Sequence, residues 1–184
     1  MASDSDKKLK EDVLKKIRFK GLWTPEHLDL FSDYMLLQRI IEEMVRPFRG
    51  IEVQKVAVID GAGFLLGTLI AAKLQVGVIP IRKVGSISSP SYKVSFVDYS
   101  KRKRELEIQK QSSLKKGESV LLVDDWAETG AHLTHSLKLL SHFDVNVIGI
   151  SLIVNEMNSK KRERLGDIKV EEIIDFQKIE KPDW

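Results

Sequence analysis

Two adjacent carboxylates, Asp124 and Asp125, stand at the end of an apolar run in VLLVDDWAETGAHL, residues 120–133. Gly130 follows five residues after Asp125, where the pattern predicts the start of a helix. Free backbone N–H groups and the helix dipole suit such a start to an anion. Thr129 adds a hydroxyl donor, and Gly130 allows the backbone a close approach. Carboxylates held at a strand end accept hydrogen bonds from a sugar diol or orient a hydrated Mg²⁺. A sugar carrying a phosphate satisfies both halves of the stretch. A third acid, Glu128, is hard to explain by turn chemistry, so more is expected here than a strand stop and a cap.

The elements that must deliver these residues follow from periodicity. Strands are predicted at 53–60, 76–83, 118–125, 145–154 and 168–176, with helices at 63–74 and 130–142. Tyr92, Val94 and Phe96 alternate with Lys93 and Ser95, the period-2 signature of a half-exposed strand. Leu106 and Ile108 continue it after a basic loop, so the pair forms an antiparallel flap projecting from the main sheet. Nearer the N-terminus, Thr24 and Pro25 read as a helix start. Leu37, Ile40, Ile41, Met44, Val45 and Phe48 follow one helical face. The expected class is α/β: a twisted parallel sheet with helices on both faces. Ligands of such sheets bind outside the carboxyl ends of the strands. Three loops would meet there: Asp60-Gly61-Ala62-Gly63, Arg82-Lys83-Val84-Gly85, and 124–132.

At 184 residues the chain suffices for one domain with a full core. Without cysteine there is neither a disulfide nor a thiolate zinc site. The charged N-terminus lacks the apolar core of a secretory signal, and no run approaches the roughly 18 apolar residues of a membrane span. A cytoplasmic protein without membrane contact is expected. Net charge is +3, with basic residues clustered at 101–104 and 160–164. That suits a polyanionic ligand; nucleic acid is not an expected partner, because neither a helix-turn-helix nor an aromatic-rich basic surface is evident.

VLLVDDWAETGAHL resembles the phosphoribosyl-pyrophosphate (PRPP) motif of type I phosphoribosyltransferases: four apolar residues, two acids and a loop ending Thr-Gly-x-Thr. VAVIDGAGFLLGTLIAAKLQVGVIPIRKVG is similar to the segment of adenine phosphoribosyltransferases between their Glu-x-Arg-Gly-Phe and Arg-Lys-Pro-Gly loops, and ELEIQK (105–110) to the end of their flap. The three motifs keep the family's order. The resemblance implies one domain, 1–184, with an N-terminal helical hood at 1–50 and a flap hairpin at 92–110. It implies Mg²⁺-dependent transfer of phosphoribosyl from PRPP to a purine, adenine favoured, in purine salvage, and a homodimer. PRPP would contact Asp60, Gly61, Ala62, Arg82, Lys83, Asp124, Asp125, Trp126, Ala127, Glu128, Thr129, Gly130, Ala131 and His132, with Mg²⁺ at Asp124 and Asp125. Asp98 and Glu128 are the candidate catalytic acids at the base, and the basic loop after Asp98 would close over the site.

The chain also departs from the pattern. Ala62 stands where the family has Arg, leaving Arg82 and Lys83 as cations for the leaving pyrophosphate. Ala131 and His132 replace Gly-Thr, and a ring N–H of His132 would have to stand in for the lost hydroxyl. The hood's Phe-Arg-Asp segment is not recognisable, and Trp23 or Phe19 is the candidate ring to stack on the base. These departures keep a second reading open: a non-catalytic PRPP- or nucleotide-binding regulatory protein of the same fold. A dinucleotide site at Gly61, Gly63 and Gly67 would leave the acid pair unexplained. His132 and His135 have metal-ligand spacing, but no third ligand is visible nearby.

Overall fold

The computed structural model describes residues 4–20, 24–97 and 101–179. In chain order its elements are α1 (Asp4–Lys16), β1 (Arg18–Lys20), β2 (Thr24–Glu26), α2 (Tyr34–Val45), β3 (Lys55–Ile59), α3 (Ala62–Leu74), β4 (Gly77–Lys83), β5 (Ser91–Val97), β6 (Lys103–Gln109), β7 (Ser119–Ala127), α4 (Ala131–Leu140), β8 (Asn146–Asn155), α5 (Ser159–Arg162) and β9 (Val170–Asp175). Seven strands form one sheet in the order β5-β6-β4-β3-β7-β8-β9. Strands β4, β3, β7, β8 and β9 run parallel, as the alternation of strands and helices predicts.

Strand pleating sorts the core into two layers, because successive side chains point to opposite faces. Val56 and Val58 of β3, with Leu121 and Val123 of β7, pack under Leu9, Ile40, Met44, Leu66 and Ile70 from α1, α2 and α3. Ala57, Ile59 and Leu122 face the other way and meet Leu133, Leu139 and Leu140 of α4 and Phe96 of the flap. Helices therefore cover both faces. No helix among the described residues is long and apolar enough to cross a membrane.

Two expectations change. Thr24 does not open a helix: β2 pairs antiparallel with β1, Lys20 opposite Thr24. Proline lacks an N–H and is at home in such a short edge ribbon. The helix begins ten residues later at Tyr34, where the Asp33 side chain accepts the Leu36 N–H at 3.1 Å. The flap is also less separate than expected. β6 pairs with β4 through Arg82–Glu107 and Lys83–Leu106, so the hairpin forms the edge of the main sheet.

Candidate active site

Strand β7 is buried from Val120 through Asp124, and its carboxyl end delivers both acids. Asp125 continues the face of Leu121 and Val123, which lies under the N-terminal elements. There it meets His27, whose Nε2 is hydrogen-bonded to Asp125 Oδ2. Asp124 is buried, and its Oδ1 accepts the Asp125 N–H at 3.1 Å. Gly63, at the start of α3, leaves space for it: a Cβ there would stand 2.7 Å from Asp124 Oδ1.

The environments push the two acids apart. Burial, then the charge of Asp125, raises the Asp124 carboxyl well above the usual carboxylate range. Burial also works to raise Asp125, but the hydrogen bonds from His27 and Asp124 hold it below that range.

The loop entering α4 is built by local bonds. Gly130 has φ +71°, and a Cβ there would collide with the Met157 side chain, so glycine is required twice over. Thr129 Oγ1 accepts the Ala131 N–H at 3.3 Å, and Thr134 Oγ1 donates to the Gly130 carbonyl at 3.0 Å. From the segment that follows β8, the Glu156 N–H donates to the Ala127 carbonyl at 2.8 Å, and Lys161 Nζ to the Glu128 carbonyl at 3.1 Å. The loop wraps a cavity of about 190 Å³ lined by His27, Asp124 and residues 126–133. Asp124, Trp126, Ala127, Glu128, Thr129, Gly130, Ala131 and His132 are thus brought together as expected.

A second cavity, of about 460 Å³, lies on the flap side and is lined by Asp60, Lys83, Val84, residues 103–106 and His132. His132 borders both. Asp60 accepts the Lys83 N–H at 3.2 Å and Arg82 Nε at 3.4 Å. The Arg82 guanidinium also lies over the Phe64 ring, 5.3 Å from its centroid, and Arg82 lines neither cavity. Gly61 and Ala62 open α3 and line neither. Asp98 and Trp23 fall outside the described residues, and Phe19 lies in β1 opposite Pro25.

His132 and His135 close on an aromatic ring instead of pairing at a metal. Phe96 of β5 meets His132 edge-on at 5.1 Å and stacks with His135 at 4.4 Å, docking the flap on α4. No group of three or more His, Cys, Asp or Glu suited to a metal occurs among the described residues.

Two residues that carry structure here were missed by sequence reasoning. Glu107 is fully buried and accepts the N–H groups of Gly85, Ser86 and Ile87 at 2.9–3.0 Å and the Ser91 hydroxyl at 2.8 Å. Burial opposes its charge, but the Ser91 and backbone hydrogen bonds outweigh it and hold the carboxyl below its ordinary range. Glu107 therefore fixes the loop after β4 from the flap strand. The available signal was an acid between Leu106 and Ile108, both apolar and buried. His27 had no such signal, because the partner is 98 residues away.

A sheet with loops at its carboxyl ends, an acid pair at a strand end and a glycine-started helix after it is the arrangement that the resemblance to phosphoribosyltransferases implies. The phosphoribosyl transferase domain model matches residues 32–182, and the chain belongs to that family, type I. Adenine phosphoribosyltransferases are among its relatives. That of Beijerinckia indica is 31% identical over 165 residues, 88% of this chain and 87% of the relative. That of Bradyrhizobium diazoefficiens is 27% identical over 180 residues, 96% and 99% of the two chains. The Giardia lamblia enzyme, solved with 9-deazaadenine, superposes with a TM-score of 0.82 at 26% identity, covering 90% of this chain and 96% of that one.

Proposed function

We propose that the protein transfers the phosphoribosyl group of PRPP to adenine, forming a nucleoside monophosphate and pyrophosphate. The juxtaposition of Asp124 with the anion loop around one cavity carries the reading. The bond from the anomeric carbon to pyrophosphate breaks, a bond to a purine ring nitrogen forms, and that nitrogen's proton leaves. In this reading the N–H groups and the Thr129 hydroxyl of the α4 loop hold the 5′-phosphate, and Asp124 faces the ribose diol. Lys83 and the flap residues Lys103 and Arg104, which line the second cavity, supply positive charge for the departing pyrophosphate. They take up the task that Ala62 cannot perform. The flap shields the activated sugar from water, and Glu128 stands at the first cavity to handle the proton of the base.

The donor set fits Mg²⁺ as such sites usually hold it, by one or two carboxylates together with substrate phosphates. Asp124 would hold the ion, which would neutralise charge on the leaving pyrophosphate, whereas Asp125, expected beside it, is bonded to His27 and does not line the cavity. We read 1–184 as one domain with its hood at 1–50 and flap at 92–110, supported by one sheet shared by both core layers. Incubating the protein with labelled PRPP, Mg²⁺ and adenine is expected to yield labelled AMP and pyrophosphate. Tight PRPP binding without product from any purine would instead establish a binding protein.

A homodimer is the proposed assembly. α3 is apolar nearly all round, and Leu65 and Leu69, one turn apart, are 54% and 37% exposed. Sedimentation is expected to show twice the 21.0 kDa chain mass, and Leu69→Glu to shift it to monomer. A wild-type chain sedimenting as monomer at micromolar concentration would exclude the dimer.

A further inference from the structure

His27 lies between β2 and the helical turn at Leu28–Phe31, and the hood sets it under the end of β7. Its ring is 15% exposed and has used only one of its two nitrogens. Nε2 is bonded to Asp125. Nδ1 is buried and has no hydrogen-bond partner among the described residues. The neighbouring ring is Trp126, 5.5 Å away between centroids, and its Nε1 is likewise buried without a partner among those residues. Both rings line the cavity that holds Asp124, Glu128 and the anion loop.

Hydrogen-bond chemistry assigns the two atoms opposite roles. An ionised carboxylate only accepts, so Nε2 carries the hydrogen in the bond to Asp125. In the neutral ring Nδ1 is then an acceptor, its tautomer fixed by the bond at the other nitrogen. Indole Nε1–H can only donate. An acceptor and a donor on neighbouring rings complement a group that offers both. A fully ionised phosphate offers acceptors alone and cannot satisfy the Nδ1 acceptor of a neutral ring. The nitrogen edge of a purine, with N–H beside a bare ring nitrogen, satisfies both atoms. A ribose hydroxyl has the same two capacities and is the competing source of this chemistry.

We infer that His27 is a specificity-determining contact to the incoming purine, its Nδ1 accepting an N–H of the base while Asp125 holds the imidazole in the required tautomer. This rests on the phosphoribosyl-transfer reading above. It gives the acid pair a division of labour: Asp124 faces the sugar, and Asp125 orients the residue that reads the base. Trp126 supplies the matching donor from the next position in the strand. Buried polar groups that are satisfied only by the correct ligand discriminate strongly against analogues lacking the partner atom.

Two substitutions separate the two nitrogens. In His27→Gln the amide reaches the place of Nε2 and keeps a donor for Asp125, but the Nδ1 acceptor is lost. In His27→Asn an amide oxygen takes the place of Nδ1, and the bond to Asp125 is lost. Steady-state assays of the full chain with Mg²⁺, varying adenine and PRPP in turn, read the difference, and thermal melts check that the hood is retained. For His27→Gln the expected result is an adenine KM raised about tenfold, the effect of one lost hydrogen bond, with the PRPP KM within about twofold. His27→Asn is expected to hold the adenine KM nearer the wild-type value than His27→Gln does. An unchanged adenine KM in His27→Gln, with normal wild-type turnover, overturns the assignment of His27 alone. A rise confined to the PRPP KM assigns Nδ1 to a ribose hydroxyl and overturns it too, as does an equal rise in both. A wild-type protein that forms no AMP overturns the transfer reading itself and this inference with it.

Discussion

Asp124→Asn is expected to melt at a higher temperature than the wild-type chain while losing about 10²-fold or more in kcat/KM for PRPP, the scale of a misplaced reacting group. Both effects come from the same burial. The wild-type carboxyl is 8% exposed and lies against the charge of Asp125, so its proton affinity rises far above that of an unfolded aspartate. A carboxyl with a raised folded pKa favours the native state most below its unfolded value of about 3.8. That advantage is lost as pH rises through the folded value. Asparagine has no proton to lose, and its Oδ1 can still accept the Asp125 N–H. The gain in melting temperature should therefore be larger at pH 8 than at pH 4. Each kcal/mol relieved is worth roughly 2–4 °C in a chain of this size. Scanning calorimetry at the two pH values, beside assays of the same samples, reads both halves. A variant no more stable than wild type at pH 8 would show that the buried acid is not under electrostatic stress. Full activity in that variant would remove Asp124 from the sugar site.

Such a trade of stability for function explains which parts of this molecule could be read in its sequence. The apolar runs VAVI of β3 and VLLV of β7 are local patterns, and they place strands whose two faces are both covered. The anion loop is local too: Glu128, Thr129, Gly130 and the first turn of α4 lie within a few residues, and their contacts follow from that closeness. What escaped was long-range. Asp125 was expected beside the ribose with Asp124, yet its carboxylate is taken by His27, 98 residues earlier. Glu107 lies in the flap strand as its motif implies, but only the folded chain shows that it caps the loop after β4 through Gly85, Ser86 and Ile87. Thr24 and Pro25 carried a helix-start signal that the β1–β2 pairing overrides. His132 and His135 have metal-ligand spacing without a third ligand nearby in sequence, and only the folded flap shows their shared partner, the Phe96 ring.

Glu128→Gln is expected to lower kcat by about 10²–10⁴-fold, the cost of removing one acid–base group, with PRPP affinity little changed. Glu128 is partly buried and lines the cavity shared with Asp124 and His27. Its backbone is not free to swing: Lys161 Nζ holds the Glu128 carbonyl, and the Glu156 N–H holds the carbonyl of Ala127 before it. A loop fixed in this way presents the carboxylate from one place, which suits proton exchange with an incoming ring nitrogen. Glutamine keeps the length and volume of the side chain, so the loop and its anion contacts should persist. Asp98→Asn is expected to cost less, because an aspartate side chain reaches one carbon less far than a glutamate. Single-turnover rates with PRPP and adenine isolate the chemical step from product release and give the comparison directly. If Glu128→Gln turns over every accepted base at the wild-type rate, Glu128 is a loop residue and the proton leaves by another group. If instead the loss appears wholly in the PRPP KM, the side chain serves the sugar phosphate and not the base.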